Sequence, residues 1–249
     1  LPTLINDEQE YYTIRKAITG GLSNVMHRVN IKGETHINKF RFDGINNKVI
    51  SYNTSNTHSQ SEGVAQATQS HVLGIDFNSL YPSAFSSNYH KFNKYHGGIM
   101  YMPGAFIRRI DVKDKQSRER CMQIITSNAR YSNKPNYVFY AEVKLTCPKS
   151  KINYFINFPP IFRNIDIKND ESTIGSYMYN YMKTNNLNSI DKEERKLTML
   201  LDTHGEYMVF SNYYLWFLLD HGLVISDVKS VSQYEAHTGF NAFVNEFMK

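Results

Sequence analysis

Nine consecutive residues, Tyr137 to Leu145 (YVFYAEVKL), constrain the fold more than any other stretch of the chain. Aromatic and branched side chains dominate the run, and they fill a pleated, largely buried surface well. It predicts a strand. Residues 7 to 18 predict a helix, with Asp7, Glu8 and Glu10 in the first turns, Lys16 near the end, and Gly20 and Gly21 as the stop. Val25 to Ile31 and Asn38 to Phe42 alternate loosely, as strands do, and Val72 to Ile75 reads as a short buried strand. A turn or first helical turn follows at Pro82, then a glycine-rich corner at Gly97 and Gly98, with Pro103 and Gly104 soon after. Arg118 to Ser127 predicts a helix. Ile174 to Met182 and Asp191 to Leu201 carry helical or mixed patterns. Near the end come a strand over Tyr207 to Phe210 and a helix capped by Ser211 or Asn212 and stopped by Gly222. A strand over Val228 to Tyr234 follows, and Thr238-Gly239 opens a last helix with Phe240, Phe243, Val244 and Phe247 on one side. This order is α+β, not the regular alternation of a doubly wound sheet.

The remaining totals narrow the partners and the compartment. Lys and Arg exceed Asp and Glu by 28 to 23, a net charge of +5 that favours a polyanionic partner. Cys121 and Cys147 lack zinc-ligand spacing and read as reduced thiols in an intracellular protein. Seven of the nine histidines, His58, His71, His90, His96, His204, His221 and His237, are scattered without metal spacing. The best apolar stretch, Tyr213 to Leu219, ends at Asp220, too short to span a bilayer, so no membrane partner is expected. The first residues lack a signal peptide's basic and apolar regions and a starting Met, so the chain reads as a processed form or a fragment. Abundant Asn, Lys, Ile, Tyr and Phe hint at an A+T-rich genome, such as that of an organelle, a plasmid or a mobile element.

Chemistry concentrates in Gly74 to Ser83, GIDFNSLYPS. An Asp at the end of an apolar strand holds its carboxylate on a rigid base at a sheet's edge. A bound cation or a basic partner there offsets the cost of burying the charge. The turn from Phe77 to Tyr81 can aim backbone N–H groups at the same spot, which suits a phosphate chain. Carboxylate, metal and phosphate-facing amides together describe a phosphoryl-transfer site. The plain reading is that Asp76 or Asn78 caps the helix after Pro82.

The string DFNSLYPS resembles the first catalytic motif of family B DNA polymerases, D-x-x-S-L-Y-P-S, at every defined position. That resemblance implies template-directed addition of deoxynucleotides by two-metal phosphoryl transfer, with Mg2+ as cofactor. Asp76 would bind both ions and the Phe77 carbonyl would assist at one. The backbone of Ser79, Leu80 and Tyr81 would hold the incoming triphosphate, and the Tyr81 ring would exclude a 2′-hydroxyl. Ile18-Thr19-Gly20-Gly21 is similar to the Tyr-x-Gly-Gly motif of the protein-primed branch, which implies template contact at Gly20 and Gly21; Ile18 replaces the aromatic, and the pair also reads as an ordinary helix stop.

The resemblance implies a partial polymerase palm, an antiparallel sheet with helices, carrying a large inserted subdomain. Residues 1–51 would enter the palm with the Gly-Gly motif, 52–70 form a flexible polar linker, and 71–88 hold the palm core with the first motif. Residues 89–196 would be an insertion resembling the region that contacts the priming terminal protein, and 197–249 would return to the palm and approach the fingers. Implied partners are DNA template and primer, dNTP and a priming terminal protein. Asp202-Thr203-His204 lacks the second Asp of the family's Asp-Thr-Asp and reads as a surface turn, and the fingers motif is not found. Asp191-Lys192-Glu193, inside DKEERK, reads as a solvated helix face rather than the start of an exonuclease. The chain is therefore expected to be inactive alone. The alternative is a non-catalytic, degenerate mobile-element remnant that at most binds DNA.

Overall fold

A computed structural model describes residues 5–22, 39–43, 45, 48–52, 74, 76–77, 79–156 and 158–248, with 39–43 and 48–52 described by backbone alone. The chain divides into two compact units, residues 1–22 with 79–249, and residues 23–78. In the smaller unit, β1 (Lys39–Asp43) and β2 (Lys48–Tyr52) form an antiparallel pair. The strand expected over 25–31 and the polar stretch 53–71 lie outside the described residues, as does the apolar run 72–75 apart from Gly74.

The larger unit begins with α1 (Glu8–Ala17), whose first turn is capped by the Asp7 carboxylate accepting from Glu10 N at 2.8 Å. After α2 (Leu80–Phe85) come β3 (Met102–Asp111), α3 (Lys115–Thr126) and β4 (Tyr137–Thr146). Next are α4 (Ile152–Phe155), β5 (Ile161–Lys168), α5 (Glu171–Ile174), α6 (Ser176–Thr184) and β6 (Glu193–Leu200). The chain then runs through β7 (Met208–Ser211), α7 (Asn212–Asp220), β8 (Val224–His237) and α8 (Asn241–Phe247). The fold is α+β, and its main sheet is antiparallel in the order β3-β8-β4-β7.

The run that constrained the fold is an interior strand of this sheet. Phe139, Ala141, Val143 and Leu145 of β4 alternate onto one face, where they join Cys121 and Ile125 of α3 and Leu215, Trp216 and Leu218 of α7 in the core. Trp216 lies 5.2 Å from Tyr95, 5.3 Å from His96, 5.5 Å from Phe139 and 5.9 Å from Tyr213, ring to ring. Its indole N–H donates to the Ile125 carbonyl at 2.8 Å, so the polar tip is satisfied inside the core. On the opposite face, α1 buries Glu10 and Thr13 against β3 and β8. Cys121 is fully buried, which pushes its thiol up to about 11; Cys147 is half-buried, and both are unpaired.

Four elements differ from what the sequence predicts. β3 was hidden by Pro103 and Gly104. It sits at the sheet's edge, where a proline's missing N–H costs no ladder bond, and its pairing with β8 shifts register between Pro103 and Phe106. DKEERK is not a helix face: Glu193 to Lys196 open β6, and opposite charges meet across the β5–β6 strand pair at Lys168↔Glu193 and Asp166↔Arg195. Residues 89–196 do not stand apart from the main sheet, since they supply β3 and β4 to it; the β5–β6 pair forms a separate two-stranded sheet. In α8 only Val244 is buried, while Phe243 and Phe247 are exposed and stack on each other with centroids 6.1 Å apart.

The glycine-rich corner forms as expected, with Gly97 and Gly98 at φ 65° and 87°, and it buries His96. Nδ1 of His96 lies 2.8 Å from the Tyr213 hydroxyl, which also accepts from Tyr101 N–H at 2.8 Å. Burial lowers the imidazole to about 4. The folded value therefore lies below that of the unfolded chain, near 6.5, and the unfolded chain takes up the proton first. The contribution of a neutral His96 is complete above pH ~6.5 and falls away as pH drops toward 4, by about 2–3 kcal/mol. Urea unfolding of the protein and of His96→Asn across this range should show that much less pH slope in the variant; equal slopes would mean that His96 titrates normally in the fold.

Candidate functional site

The motif residues divide between the two units: Asp76 and Phe77 fall in one, and Ser79, Leu80 and Tyr81 in the other. Asp76 is exposed and is itself in neither a helix nor a strand; the apolar run expected to end at it lies, apart from Gly74, outside the described residues. One carboxylate oxygen accepts from Phe77 N–H at 2.9 Å, and among the described residues no partner is recorded for the other. Phe77 is exposed as well, with 74% of its surface accessible.

Ser79 is the N-cap of α2 in the left-handed region, at φ 50° and ψ 50°, a conformation that costs a non-glycine residue about 1–2 kcal/mol. Its side chain caps nothing, and Asn78, one of the two residues that the plain reading offered as the cap, lies outside the described residues. The first bond of the helix runs from Ser83 N–H to the Ser79 carbonyl at 2.9 Å. Pro82 has no N–H, and among the described residues no acceptor meets the N–H groups of Leu80 and Tyr81. Tyr81 is 72% exposed, so its ring is not part of any core.

The far end of α2 is anchored. Asn241 of α8 donates to the Ser86 carbonyl at 2.7 Å and to the Asn88 amide oxygen at 2.8 Å. Asn88 donates to Asn245 at 3.0 Å, and the Phe85 and Phe240 rings meet edge to face at 5.9 Å. The Ser83 carbonyl faces Nε2 of His90 at 3.1 Å. This frame fixes the base of the helix and leaves its first turn, with Leu80 and Tyr81, facing solvent. Sequence reading missed Asn241 and Asn245, whose only signal was two Asn residues at helical spacing beside an aromatic face.

Gly20 and Gly21 follow the end of α1 but do not stop it: the helix ends at Ala17, and Ile18 is its C-cap in extended backbone. Apart from their chain neighbours, no atom of the described residues lies within 4 Å of a Cβ built at either glycine, and neither has a left-handed φ. Neither crowding nor conformation calls for glycine there.

Asp202-Thr203-His204 is a turn that braces the sheet. Asp202 accepts from Cys147 N–H at 3.1 Å and from His204 N–H at 2.9 Å, and the buried Thr203 hydroxyl accepts from Leu145 N–H at 3.0 Å. Those bonds occupy the carboxylate. Among the described residues no group of three or more His, Cys, Asp or Glu side chains is placed to hold a metal ion. Asp76 offers the hard oxygen that Mg2+ prefers, as one ligand of a set. Among the described residues no helix is long and apolar enough to cross a membrane. Compared with family models, with curated proteins and with solved structures, the chain matches none of them.

Proposed function

We propose that this chain is the part of a family B DNA polymerase, of the protein-primed type, that carries the first catalytic aspartate. The observation that carries this reading is the string DFNSLYPS, which has Asp, Ser, Leu, Tyr, Pro and Ser at each position the family's motif defines. Three features support it. The Asp76 carboxylate is solvent-accessible, the N–H groups of Leu80 and Tyr81 are uncommitted among the described residues, and the Tyr81 ring is exposed with no packing role. Gly20 and Gly21, for which the fold gives no steric need, suit close approach of a template backbone.

In this reading Asp76 and the Phe77 carbonyl hold magnesium, which supplies charge neutralisation at the triphosphate when bound. Partial palm architecture, dNTP, template and primer, and a terminal protein belong to the same proposal. The chain's own part is to present the carboxylate, to offer backbone donors to phosphate oxygens, and to shape the sugar pocket with Tyr81.

The test is Tyr81→Val in a polymerase that contains this segment together with fingers and second carboxylate. Discrimination rests on steric exclusion of one hydroxyl, so the ratio of kcat/KM for dNTP over rNTP should fall by about 10- to 100-fold, roughly 1.4–2.7 kcal/mol. The rate with dNTP should change little. An unchanged ratio would remove Tyr81 from the sugar pocket and the family assignment with it.

A further inference from the structure

Tyr81 stands on a helix that cannot hold its own direction. α2 has six residues, none of them buried, and its N-cap Ser79 supplies no side-chain bond. An isolated helix of that length is unstable in water, so its axis is set by what grips its other end. Just beyond that end the Ser87 hydroxyl donates to the Met100 carbonyl at 3.0 Å, a single bond that ties down the chain but leaves the helix free to pivot. His90 and the Phe240 ring each touch α2 at one point. Asn241 grips its end at two. Both hydrogens of the Asn241 amide are used, one on the Ser86 carbonyl at 2.7 Å and one on the Asn88 amide oxygen at 2.8 Å. Asn88 donates in turn to Asn245 at 3.0 Å, and Asn245 donates to Asn241 at 3.1 Å, which closes a ring of three amides. Each member of such a ring is held in one orientation by the other two, and the bonds strengthen one another. Asn241 opens α8 shortly after β8, an interior strand of the main sheet. The ring therefore refers the direction of α2 to that sheet.

We propose that Asn241 is a positioning residue for sugar selection: through the Ser86 carbonyl and α2 it holds the Tyr81 ring where a 2′-hydroxyl would fall. This rests on the polymerase reading above and adds to it a residue that needs no contact with the nucleotide. The lever is short but sufficient. At 1.5 Å per residue Tyr81 lies about 7.5 Å up the helix from Ser86, so a tilt of about 10° moves it by about 1 Å. A displacement of that size is enough to spoil a sterically selective pocket. Asn241→Asp keeps the shape of the side chain, removes both donated hydrogens and sets a charge against the two oxygens that received them.

The first arm of the test uses the 249-residue chain. In Asn241→Asp, hydrogen exchange at Ser83 N–H, which bonds the Ser79 carbonyl, should quicken by about 10-fold as α2 comes loose. Val231, inside β8, should keep the parent's rate. Unchanged exchange at Ser83, or equal quickening at Val231, would overturn the proposal whatever the chain does. Asn241→Ala removes the donors without adding a charge, should act in the same direction, and replaces Asn241→Asp if that variant does not fold. The second arm uses the polymerase that contains this segment, with kcat/KM for dNTP and rNTP measured in the parent, Asn241→Asp, Tyr81→Val and the double variant. Asn241→Asp should lower the dNTP-over-rNTP ratio by about 3- to 10-fold, and should add nothing once Tyr81 is Val, because it acts only through that ring. A ratio that Tyr81→Val lowers but Asn241→Asp does not, or that Asn241→Asp lowers equally in both backgrounds, would overturn the positioning role and leave the polymerase reading standing. A ratio that Tyr81→Val itself leaves unchanged would overturn both.

Discussion

Asp76→Asn, made in a polymerase that includes this segment, is expected to lower kcat/KM for every nucleotide by about 10³-fold or more. The change keeps the shape of the side chain and removes the charge. Neutral amide oxygen is a weak ligand for a hard dication, and the loss of one ligand in two-metal chemistry forfeits several kcal/mol of transition-state stabilisation. Folding should not register it. Asp76 is exposed, belongs to no helix or strand, and among the described residues holds only the N–H of its own neighbour, so stability should stay within about 0.5 kcal/mol. A catalytic carboxylate predicts this split between a collapsed rate and an unmoved melting curve. Near-normal primer extension by the variant would end the assignment, and an equal loss in stability would make Asp76 a structural residue.

The second large effect concerns stability alone. Glu10 is 2% exposed, yet it carries a carboxylate into the sheet. It accepts from the Ser232 hydroxyl at 3.0 Å and the Tyr234 hydroxyl at 2.5 Å, and it pairs with Arg109 at 3.2 Å. Arg109 also donates to Thr13 at 2.9 Å and Ser230 at 2.9 Å, and pairs with Asp111 at 2.8 Å. Burial and the hydrogen bond to Glu10 both raise the Tyr234 phenol, so that hydroxyl stays a donor. Truncation by Glu10→Ala leaves a buried guanidinium short of charge and two hydroxyls without an acceptor. Urea unfolding should show a loss of about 3–5 kcal/mol. Replacing the pair together, Glu10→Leu with Arg109→Met, should recover much of it, because an apolar pair of similar volume needs no desolvation. A loss below about 1 kcal/mol for Glu10→Ala would mean that α1 is held by its apolar contacts instead.

The same residue shows where sequence reading stops. Glu10 looks like one more acid in the first turn of a helix, and its neighbours Glu8 and Gln9 are indeed exposed. Nothing local separates it from them; its partners are Arg109, Ser232 and Tyr234, which no periodicity links to it. Elements defined by their own side chains were legible: β4 from its branched and aromatic run, α7 from Ser211 and its apolar length, α3 within a turn of its true start at the Asp114 capping box. Those defined by a partner were not. β6 becomes a strand because Lys168 and Asp166 lie opposite its charges, and β3 tolerates Pro103 because it is an edge. The candidate site was legible as a string of letters, while the frame that holds α2, with Asn241 and Asn245 more than 150 residues away, was not.

The bond between Glu10 and Tyr234 spans 224 positions of sequence. On a ribosome α1 emerges long before β8, so while the stretch between them is made the helix has a charged residue facing a sheet that is not yet complete. A short isolated helix of this length is marginal in water. Commitment of the larger unit must therefore wait for β8, and a nascent chain stopped before Ser230 would leave α1 undocked, its acid hydrated. Long-range closure of this kind slows folding, and it makes completion of β8 the event that docks α1.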